Sequence, residues 1–186
     1  MGLPRGERPY TRQLPLPCDC DRYACEGASG RKARHPRYGL SELYPDCEAF
    51  YFPSSGKLFT AESVRRDETE GTNRFIYFGV NVRFFNVQDS EDMVVDTLGM
   101  STLFLPDLQY HFHGMNPNWV VNHAYNVAAY LLGSGNVIAD GETVDGVVDG
   151  EMSSELHWSC RYEDALIQPP REVLDINMGE YASGTR

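Results

Sequence analysis

The sequence predicts an α+β fold: a largely antiparallel sheet with one main uncharged helix packed on a face, preceded by an irregular N-terminal arm. Three observations carry that reading. Segment 116–135 has the punctuation of a helix and no charge, several short segments alternate between Gly and Pro stops, and residues 1–40 keep no sustained period. A chain of 186 residues, 41% hydrophobic and 12% aromatic, can bury a core without staples. It divides into 1–66, a Pro/Gly/Arg/Tyr-rich arm with short elements packing on the core, and 67–186, the α+β domain.

Taken in order, AFYF at 49–52 reads as a short strand before the Pro53 to Gly56 turn. The charged stretch AESVRRDETEGTN reads as an exposed helical turn or linker. From Arg74 the alternation of Ile76, Phe78, Val80, Val82 and Phe84 predicts a half-buried strand. Met93 to Leu98 and Leu108 to His113 form the next two strands, a hairpin with a wide loop between Gly99 and Pro106. After the helix, Val137 to Ala139 and Glu142 to Val144 are short extended pieces around the Asp140-Gly141 turn. Leu156 to Tyr162 and Val173 to Ile176 are the last strands, separated by Pro169-Pro170.

The helix itself begins at Asn116, whose side chain can accept from the first turn's amides, with Pro117 where a missing N–H costs nothing. Gly133 and Gly135 supply its stop. At 100° per residue, Val121, Ala124, Tyr125, Ala128 and Leu132 form one stripe, and Trp119, His123, Asn126 and Tyr130 the opposite one. No charged residue occurs from Gly114 through Ala139, so both faces want cover. The aliphatic stripe belongs on the sheet. The aromatic one is covered either by the N-terminal third or by a partner, since aromatic groups with polar tips favour interface centres.

Charge is unevenly placed. Residues 1–66 hold 11 Lys+Arg against 8 Asp+Glu, a net of +3, and residues 67–186 hold 5 against 19, a net of -14. Such a surface repels nucleic acid and attracts basic proteins. MGLPRGERPYTR lacks the apolar core of a signal peptide, and no run approaches the ~20 apolar residues of a membrane span. The expectation is a cytoplasmic protein without a membrane partner. Its oligomeric state is not readable.

Candidate chemistry is sparse. Cys18, Cys20 and Cys25, with Cys47 and His35 further on, either bind zinc or remain reduced thiols; their spacing, C-x-C-x4-C, is not that of paired zinc knuckles. Zinc is the only cofactor the sequence suggests. On the third strand His111 and His113 share a face with Gln109, and His123, Asp96 or Asp107 could complete a metal set or a hydrolase centre. No nucleophile elbow, phosphate loop or H-E-x-x-H motif is present, which argues against an enzyme. Carboxylates instead gather at Asp140, Glu142, Asp145, Asp149 and Glu151 as an acidic patch. Cys160 reads as a core residue.

The residues TLGMSTLFLPDLQYHF, the uncharged helix and then VIADGETVDG resemble the bacterial domain-of-unknown-function family 4261 over about 96–146. Its pattern is a hairpin leading into a helix and then an aspartate-glycine-glutamate-threonine turn. This chain departs from it at Phe104, where glycine is usual, and at Asp107 and Gln109, where glutamates are usual. The family has no agreed catalytic residues. Some members lie near bacterial toxin systems, and the resemblance therefore implies an immunity or accessory role. Charge, missing motifs and resemblance together lead to the expectation of an immunity-type binding protein. It would occlude a cognate toxin or effector, such as a basic nuclease, through Trp119, His123, Asn126, Tyr130 and the acidic patch. A metal-binding protein or hydrolase on the three histidines is the alternative, as is an adaptor of a secretion assembly of the type VI kind.

Overall fold

The computed structural model describes residues 47–66 and 72–184; the cluster Cys18, Cys20 and Cys25 lies outside them. Strands β1 (Ala49–Phe52) and β2 (Lys57–Thr60) pair antiparallel around the Pro53 to Gly56 turn. Helix α1 (Ala61–Arg66) follows, its first turn capped where the Ser63 amide donates to Thr60 Oγ1 at 3.1 Å. Helix α2 (Thr72–Gly79) packs on the hairpin through Phe52, Phe59, Tyr77 and Phe78, rings with centroids 4.9–6.1 Å apart.

The stretch expected to be one strand from Arg74 is therefore a helix followed by a strand, β3 (Asn81–Asn86). Its alternation is too short to separate the two periods, and contacts with the hairpin decide. The Lys57 ammonium donates to the carbonyls of Tyr77 and Val80, satisfying acceptors at the C-terminal end of α2 where a cation is favourable.

Six strands form the main sheet among the described residues, in the order β3-β4-β5-β8-β7-β6, with β4 Met93–Leu98, β5 Asp107–Phe112, β6 Thr143–Val148, β7 Glu151–Asp164 and β8 Glu172–Asn177. Only β5 and β8 run parallel. The fold is thus α+β with a mostly antiparallel sheet and one main helix, α3 (Pro117–Ser134), against one face. Asn116 caps it as expected, accepting from the Asn118 amide at 3.0 Å, and Gly135 ends it at φ 83°. Gly133 is still inside the helix. The piece Val137 to Ala139 is irregular and not a strand: Val137 N–H donates to Gly135 O, and Glu142 N–H donates to Ala139 O across the Asp140-Gly141 turn.

The two faces of the sheet differ in chemistry. Toward α3 stand Val95, Leu108, Tyr110, Phe112, Trp158, Cys160, Leu174 and Ile176, all buried. Each large side chain removed from water contributes about 1.5–3 kcal/mol. The opposite face carries polar residues in one register row, Arg83 beside Asp96 beside Gln109 beside Asp175 beside Arg161. Strand alternation puts them there.

The buried stripe of α3 is Val120, His123, Ala124, Val127, Ala128 and Leu131. It is rotated from the expected one: Ala124 and Ala128 belong to it, Val121 and Leu132 flank it half-buried, and Tyr125 is exposed. His123 replaces an apolar residue in the stripe because both of its ring nitrogens find partners inside.

Candidate functional site

Between the flank of α3 and the edge strand β6 lies an open groove of about 890 Å3. Val127, Val137, Ile138, Val144 and Met152 give it an apolar lining, with Asn126, Tyr130 and Glu142 among its polar residues. Tyr130, Val137 and Met152 are 54%, 49% and 44% exposed, so this apolar surface faces solvent. Glu142 is fixed: its Oε2 accepts from the Ala139 amide at 2.7 Å across the Asp140-Gly141 turn.

The neighbouring strand is shaped by His123. Its Nε2 donates to the Asp145 carbonyl at 2.7 Å, which leaves Nδ1 as acceptor for the Tyr110 hydroxyl at 2.9 Å. Burial lowers its pKa, so the ring is held neutral. The carbonyl it captures sits at a bulge where the β6–β7 register shifts between Asp145 and Gly146. A side chain at Gly146 would collide with Leu156 and with the Trp158 indole, within 2.7–2.9 Å. Bulge and capture together blunt β6 as a template for another strand.

Of the expected contact residues, the groove gathers Asn126, Tyr130, Glu142 and the strand segment at Asp145. It does not gather the others. His123 is 1% exposed and belongs to the core, which removes it from any docking surface. Trp119 is half-buried under the β6–β7 turn, where a Cβ on Gly150 would lie 2.9 Å from its Nε1. The Asp145 carboxylate lies 3.6 Å from His157 Nδ1, consistent with alternation that sends Val144 toward the helix and Asp145 away. Asp140 accepts from the Tyr162 amide at 2.8 Å, and Asp149 and Glu151 stand exposed at the far turn. The acidic patch is thus spread along the β6 edge, with Glu142 its member in the groove.

The three histidines are not brought together. His123 joins Tyr110 on the helix side of the sheet, whereas His111 and His113 alternate to the other side. There His113 Nδ1 lies 3.0 Å from Ser183 Oγ, which donates to Asp92 at 2.7 Å, and His111 Nε2 is 3.7 Å from Asp92. The Ser183 hydroxyl is the main cause that holds Asp92 below the usual carboxylate range. Asp96 and Asp107, considered as metal ligands, are instead bound by arginines: Arg171 contacts both, at 2.8 and 3.0 Å, and Arg83 also clamps Asp96. Among the described residues no three His, Cys, Asp or Glu side chains are grouped to hold a metal. Cys160 is fully buried, and burial pushes its thiol up to about 12.

This arginine seam was not legible as a unit. Arg171 also donates to the carbonyls of Thr97, Ile167 and Pro169, and Gln109 links the Leu166 amide to Asp175. The seam ties the β7–β8 connection onto the polar face. Asp96 and Asp107 are paired with arginines and Asp175 accepts from Gln109, so the seam holds the fold.

Among the described residues no helix is long and apolar enough to cross a membrane. Residues 96–177 match the model of a family described as Domain of unknown function (DUF4261). The match runs from within β4 through β8 and includes α3, the groove and the seam apart from Arg83. No curated protein and no solved structure matches the chain.

Proposed function

We propose, taking the match of 96–177 to a domain with no assigned activity as the premise, that this chain is a cytoplasmic immunity-type binding protein. It neutralises a cognate bacterial toxin or effector, a basic protein, by occluding the partner's working surface. One observation supports this above the others: an exposed groove with an apolar lining, in which Tyr130 and Asn126 stand with Glu142, on a stretch of net charge -14 over 67–186. Long-range charge accelerates encounter with a basic partner, and burial of the aromatic and aliphatic area then slows release.

The test is co-expression with the protein encoded beside it. The expected outcome is a co-purifying complex and rescue of growth, both lost in Tyr130→Ala. A neighbour that is toxic but neither bound nor relieved by this chain overturns the proposal.

A further inference from the structure

The groove has a more specific chemistry than a generic acidic surface, and we infer that it is a pocket for an arginine side chain presented by the partner. The inference rests on the binding role proposed above. Among the described residues no Lys or Arg lines the groove. Its apolar residues, Val127, Val144 and Met152, suit the aliphatic stem of a long cationic side chain, which covers apolar surface while keeping its head wet. Tyr130 offers an exposed aromatic face, and a guanidinium stacks on such a ring more favourably than an ammonium. Glu142 supplies the countercharge.

Glu142 is also pre-organised for the task. The Ala139 amide holds one carboxylate oxygen at 2.7 Å, and a carboxylate has lone pairs to spare for a donor fork. Asn126, on the helix flank, adds a second acceptor among the lining residues. An extended strand is the wrong occupant, because the bulge at Asp145/Gly146 and the capture of the Asp145 carbonyl by His123 break the edge that such a strand would need. A protruding loop that inserts one arginine fits.

The experiment titrates the full chain, by NMR, with the N-acetyl amides of arginine, lysine and citrulline. Citrulline keeps the shape of arginine and lacks its charge. Arginine is expected to shift the Met152 methyl and Tyr130 signals saturably, lysine to bind about fivefold more weakly, and citrulline not to saturate. Glu142→Gln should weaken arginine about fivefold, Tyr130→Phe should retain it and Tyr130→Ala should lose it, with thermal melting showing each variant folded. Citrulline binding as tightly as arginine, arginine binding unchanged in Glu142→Gln and Tyr130→Ala, or shifts confined to another surface would each overturn the pocket. The two readings fail separately. A complex with the neighbouring protein that is lost in Tyr130→Ala, without arginine binding, keeps the docking face and rejects the pocket; saturable arginine binding with no such complex does the reverse.

Discussion

His123 looks polar in the sequence, and its place in the core follows from what its two nitrogens touch. With Nε2 on the Asp145 carbonyl and Nδ1 on the Tyr110 hydroxyl, both ring nitrogens are paired, and burial disfavours the charged form of the ring. Its folded pKa is lowered, so the unfolded chain binds a proton first as pH falls below about 6.5. Stability from this group is therefore complete above that pH and is lost as pH drops toward the folded value. Urea melts between pH 7 and pH 5 should show a decline of at most about 1.4 kcal/mol per pH unit from this site, and His123→Gln should remove that share of the slope while lowering stability at pH 7. An unchanged slope would mean that the ring is not held neutral. Phe104 presents the converse case. It sits at φ 57°, a left-handed conformation that glycine adopts freely, and it is 93% exposed. The resemblance places a glycine at this position, and Phe104→Gly should relieve strain of about 1 kcal/mol without losing packing. A lower melting temperature in that variant would show that the exposed ring has a stabilising contact.

At the scale of elements, the sequence was most readable where local chemistry decides. Asn116-Pro117 and Gly135 bound α3, and the hairpin turn at Pro53 to Gly56 joins β1 to β2. It was least readable where distant contacts decide. The helix α2 depends on Lys57 and the hairpin rings, and the stripe of α3 depends on a histidine that only Tyr110 and Asp145 make apolar in effect. The arginine seam is of the same kind: Gln109 meets Asp175 because β8 inserts between β5 and β7, a pairing that no local pattern announces. Its energetic test is Arg171→Met. Asp96 and Asp107 are 1% and 2% exposed at their side chains, and removing their shared cation leaves buried charge partly unbalanced. The expected cost is about 3–5 kcal/mol; a cost below about 1 kcal/mol would show that Arg83 and solvent suffice.

At the scale of the whole chain, charge was legible from composition, while its use was not. The acidic residues expected to act as one patch are spread over the approach to β6, the strand itself and the β6–β7 turn, and the Asp145 carboxylate is turned to His157, so among the described residues Glu142 brings the carboxylate into the groove's proposed chemistry. The remainder act mainly through their sum. A net of -11 on 186 residues repels itself, and this repulsion is least screened at about 0.01 M salt, where the Debye length is near 30 Å. The seam on the polar face pulls the other way, because its ion pairs are attractive, but they are buried and salt reaches them little. The surface term should therefore decide the sign. Thermal melts at pH 7 are expected to rise as NaCl increases from about 0.01 to 0.3 M, and Arg171→Met should show the same rise from a lower starting point. A melting temperature that falls with salt would place the dominant electrostatics in exposed attractive pairs. The excess of carboxylates would then stabilise the fold through partners within the chain, leaving less of it free to draw in a basic protein.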